Sequence, residues 1–155
     1  MTGRVQKEIR QRKPFRRLED GAFVNIQRTA DALMQGVAAT LKEKDLSPPQ
    51  YNVLRILRGA GDDGLACREI AGRMISRDPD ITRLLDRLEE RDLVARSRDR
   101  TDRRVITTRI TERGLRVLGE LDEPIQKLHV EQLGHLGPER LRSLIDLLES
   151  ARRAS

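Results

Sequence analysis

The chain has 155 residues and a mass of 17.7 kDa, the size of one compact domain and too small for a multidomain enzyme. Hydrophobic residues make up 37% of it and charged residues 36%, with a net charge of +6, which excludes a disordered tail and suits an anionic partner. Three aromatic residues (Phe15, Phe23, Tyr51) and no Trp favour helices over an all-β sandwich, and the single Cys67 excludes a disulfide framework or a multi-cysteine metal centre.

Residues 1–17 carry seven Lys or Arg against Glu8 alone, while the rest of the chain is balanced. No apolar period runs through them, so a mobile basic arm is expected. Three roles stay open for it: contact with flanking phosphates, contact with another anionic surface, or a solvated tail. From Leu18 the pattern changes. Phe23, Ile26, Ala30, Leu33, Met34, Val37 and Leu41 recur at three- and four-residue steps, predicting an amphipathic helix over 18–43. Ser47-Pro48-Pro49-Gln50 reads as a capping box that opens a second helix, with Tyr51, Leu54 and Leu57 inward and Val53 and Ile56 flanking. Gly59, Gly61 and Gly64 break it.

A short helix is predicted over 67–75, with Ile70, Ala71 and Met74 inward. The next opens with Asp78 as N-cap and Pro79 as first helical residue, and Ile81, Leu84, Leu85 and Leu88 form one apolar face. Thr82, Arg83, Asp86, Arg87 and Glu90 form the opposite face. After Val94 the period becomes two, and the strand-like segments ARSR and VITTRIT flank Asp99-Arg100-Thr101-Asp102, a hairpin turn. Residues 96–109 hold six arginines against Asp99 and Asp102, and such a protrusion is self-repelling without an anionic partner. Thr111-Glu112 caps a second long helix, 112–134, with Leu115, Leu118, Leu121, Ile125, Leu128 and Leu133 buried and Pro124 inside it as a kink site. Pro138 opens a last helix bearing Leu141, Leu144, Ile145 and Leu148.

Two short helices, a turn and a basic hairpin in that order make a winged helix-turn-helix, whose second short helix enters a DNA major groove. Arg83 and Arg87 lie one turn apart on its polar face, where each can bind a guanine bidentately. The same two residues can instead pair with Asp80, Asp86 and Glu90 on a solvated face. The arginine-rich hairpin favours DNA, its tip being suited to a minor groove.

The segments LSPPQYNVLRIL, REIAGRM and DPDITRLLDRLEERDLVARSRDRTDRRVITTRITERG resemble the MarR (multiple-antibiotic-resistance regulator) family of bacterial transcription factors over roughly residues 20–150. The most specific part is Asp102-Arg103-Arg104, followed at the family's spacing by Ile110-Thr111-Glu112-Arg113-Gly114. The resemblance implies a mainly α fold with a β-hairpin wing. It divides the chain into a basic arm (1–17) and one domain (18–155), in which 18–45 and 112–155 dimerise and 46–111 form the winged helix-turn-helix. It implies a homodimeric regulator, usually a repressor, on pseudo-palindromic double-stranded DNA, released in many members by a small-molecule effector.

By matching position, Asp102 braces the wing, Arg104 enters the minor groove with Arg103 as neighbour, and Arg68 and Arg73 contact phosphates. The full DNA-binding set so assigned is Arg68, Arg73, Ser76, Arg77, Asp80, Thr82, Arg83, Arg87, Arg98, Arg100, Asp102, Arg103 and Arg104. Tyr51 is the one aromatic hydroxyl near the effector cleft that the resemblance implies, and it reads as a core tyrosine in preference to an effector contact. Two departures stand out: Asp78-Pro79-Asp80 where small hydroxyl residues often open the recognition helix, and Asp92 where a glycine commonly ends it.

The long helices exceed what a winged-helix core of about 60 residues covers, so their apolar faces are expected to pack between two chains. Cys67 reads as a small residue at a helix start in preference to a redox sensor, since no second cysteine resolves a sulfenic acid. His129, Glu131 and His135 are not spaced for one helix face, so no metal site is expected. No phosphate loop, nucleophile–base pair or placed carboxylate pair occurs, so neither an enzyme nor a cofactor is expected. With no apolar run of signal-peptide length in the first twenty residues and none of 18 residues anywhere, a cytoplasmic protein without a membrane partner is expected. The competing reading from another class is a dimeric helical interaction module whose hairpin and arm bind a protein partner or RNA.

Overall fold

The computed structural model of the chain describes residues 3–77 and 80–153, which divide into two compact units meeting between Val37 and Ala38. In the first, Arg4–Glu8 forms helix α1 where the sequence predicts irregular chain. A helix under two turns long is too short for periodicity to register. The Glu8 carboxylate pairs with Arg4 at 2.9 Å and with Arg28 at 3.6 Å. Helix α2, Leu18–Lys42, follows the predicted stripe, but on it Phe23 is 63%, Ile26 46% and Met34 44% exposed.

The second unit holds the remaining elements. The end of α2 is closed by Asp45 in the left-handed region (φ 51), with the amides of Asp45 and Leu46 donating to the carbonyls of Lys42 and Leu41 at 3.0 and 3.2 Å, a Schellman motif. Helix α3, Pro48–Ala60, opens on the predicted capping box: Ser47 Oγ accepts from the Gln50 amide and Gln50 Oε1 accepts from the Ser47 amide. Tyr51, Val53, Leu54 and Leu57 are its buried residues. A 3-10 turn, Gly61–Asp63, leads to strand β1, Leu65–Ala66, and helix α4, Cys67–Arg73. Ile70 is buried as expected, whereas Ala71 is exposed and Met74 lies past the helix end with extended backbone.

Helix α5 spans Ile81–Glu90. Its N-cap is Asp80, whose carboxylate accepts from the Arg83 amide at 3.2 Å. The predicted opening at Asp78 and Pro79 lies outside the described residues. Leu84, Leu85 and Leu88 are buried. Strands β2 (Val94–Arg98) and β3 (Ile106–Ile110) form the hairpin, and β1 joins its far side, giving an antiparallel sheet in the order β1-β3-β2. Leu65 opposes Thr108, and Arg96 opposes the same residue from β2. A two-residue strand carries no alternation of its own, which is why β1 is invisible in the sequence.

Helix α6, Glu112–Leu133, runs unbroken through Pro124, with Leu118, Leu121 and Ile125 buried. Leu115, expected inside, is 43% exposed. After a 3-10 turn, helix α7 spans Gly137–Arg153 and buries none of its residues in the single chain, with Ile145 and Leu147 53% and 69% exposed. Among the described residues no helix is long and apolar enough to cross a membrane.

Asp92, which stands where a glycine commonly ends this helix, is in the left-handed region (φ 57), with the amides of Asp92 and Leu93 bonded to the carbonyls of Glu89 and Leu88 at 2.9 and 3.0 Å. A side chain is strained there and glycine is not. Asp92→Gly is therefore expected to stabilise the protein by about 0.5–1 kcal/mol, a rise of a few degrees in thermal midpoint. An unchanged or lower midpoint contradicts the strain assigned to this cap.

Candidate nucleic-acid interface

The apolar face of α5 is packed inward, which leaves Thr82, Arg83 and Arg87 exposed on the other side. Among the described residues no ion pair involves Arg83 or Arg87; Asp86, one partner the solvated-face reading gave them, is engaged by Arg96, and Asp80 caps the helix. On α4 and in the loop that follows, Arg68, Arg73, Ser76 and Arg77 are also exposed. Ile75, which sequence reasoning passed over, is 85% exposed, and its amide donates to Asn52 Oδ1 at 2.8 Å, tying this loop to α3.

The wing tip is a small network centred on two aspartates. Asp99 Oδ2 accepts from the Asp102 amide at 3.2 Å, and Asp102 Oδ1 accepts from the Arg104 amide at 3.1 Å. The Asp99 amide donates to the Val105 carbonyl at 2.8 Å, and the Val105 amide to that of Asp102 at 3.0 Å. Asp102 thus holds the turn that presents Arg104, whose side chain is 95% exposed with Nε 3.7 Å from Asp102 Oδ1. Arg98 donates to the Arg103 carbonyl at 2.9 Å and Arg109 to Ser97 Oγ at 3.2 Å. Arg100 and Arg103 are exposed.

The uncompensated cluster of six arginines expected from the sequence is a smaller one. Arg96 turns to α5, where Nη2 reaches Asp86 at 2.6 Å and Glu89 at 2.9 Å. Asp62 and Asp63 line a cleft with Arg98, Arg100 and Arg109. Both acidic sources lie outside residues 96–109, so a count over that segment cannot include them.

The chemistry of Arg96 also sets a pH dependence. Its guanidinium and amide hydrogen bonds hold the Glu89 carboxyl below its ordinary pKa of 4.5, against a smaller opposing effect of burial. A carboxylate lowered in the folded state stabilises it above the ordinary value, and that contribution disappears as the pH falls through the lowered one. Glu89 is 40% exposed, so the contribution is under ~1 kcal/mol. Glu89→Gln should be less stable than the parent in urea unfolding at pH 7, and the difference should shrink as the pH is taken below 4.5. A difference that does not shrink on acidification contradicts this pairing.

The model of the MarR family matches residues 46–106. The transcriptional repressor IacR of Pseudomonas putida is 30% identical over 133 residues, covering 86% of this chain and 78% of its own length. The chain belongs to the MarR family. A MarR transcription factor from Planctomyces limnophilus, known from its crystal structure, is 40% identical, with a TM-score of 0.67 over 88% of this chain and 98% of its own. CouR from Rhodococcus jostii RHA1, solved bound to p-coumaroyl-CoA, is 27% identical with a TM-score of 0.75, covering 88% of this chain and 95% of that one.

In this MarR-family chain Tyr51 is a buried residue, 8% exposed, with the Arg55 guanidinium 5.9 Å from its ring centre. Burial pushes its phenol pKa up, with Arg55 opposing. Nearby, Arg58 makes a bidentate pair with Asp122 of α6 at 2.8 and 2.9 Å. A separate cleft of about 560 Å³ is lined by Lys42, Leu46, Pro48, Leu84, Arg87 and Arg91 among others, and Tyr51 is not one of its lining residues.

Proposed function

We propose that the protein is a homodimeric repressor that binds a pseudo-palindromic operator, with α5 in the major groove and the wing in the minor groove. The observation that carries this reading is the pairing of an apolar-backed helix, exposing Arg83 and Arg87, with a braced tip exposing Arg104. Thr82, Arg83 and Arg87 read base edges, while Arg68, Arg73, Ser76, Arg77, Arg98, Arg100 and Arg103 meet the backbone. The Asp80 carboxylate at the helix start repels phosphate and suits a base-edge amino donor such as that of cytosine. The family assignment weighs against an RNA- or protein-binding module.

Dimerisation is supported by the apolar residues left open on α2 (Phe23, Ile26, Met34) and, separately, on α6 and α7 (Leu115, Val130, Ile145, Leu147). Burial of such surface is the usual basis of a permanent two-fold interface. Release by a small-molecule effector is supported by the cleft beside Arg87, whose volume suits a small organic acid, and by the acyl-CoA held in CouR. An occupant there shares Arg87 with the operator, so the two compete.

Titrating the protein onto duplex DNA from the region upstream of its own gene, with competitor DNA at 50 and 200 mM salt, tests the reading. The expected result is sequence-selective binding that weakens steeply with salt. Equal affinity for all duplexes overturns it.

A further inference from the structure

Arg96 is the one wing arginine that faces inward. It stands in the middle of β2, while Asp86 and Glu89 lie one turn apart on α5. Its Nη2 donates to Asp86 Oδ1 at 2.6 Å and to Glu89 Oε1 at 2.9 Å, and its main-chain amide donates to Glu89 Oε2 at 3.1 Å. Glu89 therefore holds both the side chain and the backbone of the strand. The Arg96 side chain is 25% exposed, against 95% for Arg104, so it adds little to the outward charge of the wing.

We propose that Arg96 is a positioning residue for operator recognition: with Asp86 and Glu89 it fixes the angle between α5 and the wing, so that base reading and groove insertion act as one unit. The inference rests on the reading above, in which both elements touch DNA. The chain passes from α5 to β2 through only Arg91, Asp92 and Leu93, and the β2–β3 ladder holds the strands to each other but not to the helix. The Arg96 network ties the solvent-facing side of the helix to the strand two residues before Arg98. Two grooves are engaged together only if their readers are held to within about half an ångström. The same network occupies two carboxylates on the helix that would otherwise repel phosphate.

The test is a double-mutant cycle of Arg83→Ala and Arg104→Ala on a selected duplex, run in the parent and in the variant Arg96→Met/Asp86→Asn/Glu89→Gln. The triple variant breaks the brace without leaving bare carboxylates. In the parent, the product of the two single losses is expected to exceed the loss in the combined variant by about tenfold, the signature of coupled contacts. In the braceless background the losses should multiply, with affinity for random-sequence duplex within about twofold of the parent. Equal coupling in both backgrounds, no coupling in the parent, or a parallel fall in specific and random-duplex affinity with loss of helical signal overturns the inference. If Arg83→Ala and Arg104→Ala leave parent binding unchanged, the underlying DNA reading falls instead.

Discussion

Gly114→Ala is expected to cost about 3 kcal/mol of stability, lowering the thermal midpoint by roughly 10 °C. A methyl at this position would sit 2.3 Å from the Leu93 carbonyl oxygen and 2.7 Å from Ile110 Cγ1. Neither neighbour is free to retreat. The Leu93 carbonyl accepts from the Thr111 amide at 3.1 Å while the Leu93 amide donates to Leu88 at 3.0 Å, and Ile110 is paired in register with Val94. Thr111 adds a further restraint, its Oγ1 accepting from the Gly114 amide at 3.0 Å and donating to the Asp92 carbonyl at 2.6 Å. The end of α5, the base of the wing and the start of α6 therefore meet over a residue without a side chain. Gly59→Ala, in α3 with nothing within 4 Å of the added carbon, is the matching control and should be neutral or stabilising. A Gly114→Ala midpoint within 2 °C of the parent contradicts this packing.

Arg104→Ala should weaken binding to a selected operator by about thirtyfold, near 2 kcal/mol, without changing the fold. The side chain is almost wholly in solvent and makes no contact that folding depends on, so the loss belongs to the complex. Asp102→Ala should produce a similar loss by another route, because it removes the acceptor for the Arg104 amide and frees the turn. Arg83→Ala and Arg87→Ala should in addition relax the preference among base pairs, which a contact made only to the backbone would not do. Fluorescence anisotropy with matched and mismatched duplexes separates the two patterns. Affinity of Arg104→Ala within twofold of the parent contradicts the role of the wing.

Much of the fold is written in local pattern. The stripe from Phe23 to Leu41, the Ser47–Gln50 capping box and the Leu84–Leu85–Leu88 face are each decided by residues within a turn or two, so periodicity and capping chemistry find them. The positions that sequence reasoning missed depend on partners in other elements. Strand β1 exists because Leu65 and Ala66 meet Thr108 and Thr107. Arg96 leaves the arginine cluster because Asp86 and Glu89 of the preceding helix lie beneath it. Leu115 belongs to the same predicted stripe as the buried Leu118 and Leu121, yet it is exposed in the single chain. Amphipathicity reports that a face is to be covered, not which chain covers it. Arg91 shows the same limit within the site: its guanidinium donates to the carbonyls of Lys44 and Asp45 at 3.0 and 2.5 Å, fastening the end of α5 to the end of α2.

Selection of duplexes from a random-sequence pool by the purified full-length protein, followed by sequencing of the bound fraction, tests the central claim most directly. A two-fold symmetric motif is predicted, with half-site centres about 10 base pairs apart, as two α5 helices on one face of DNA require. Enrichment of no motif, or of a single asymmetric one, would contradict it.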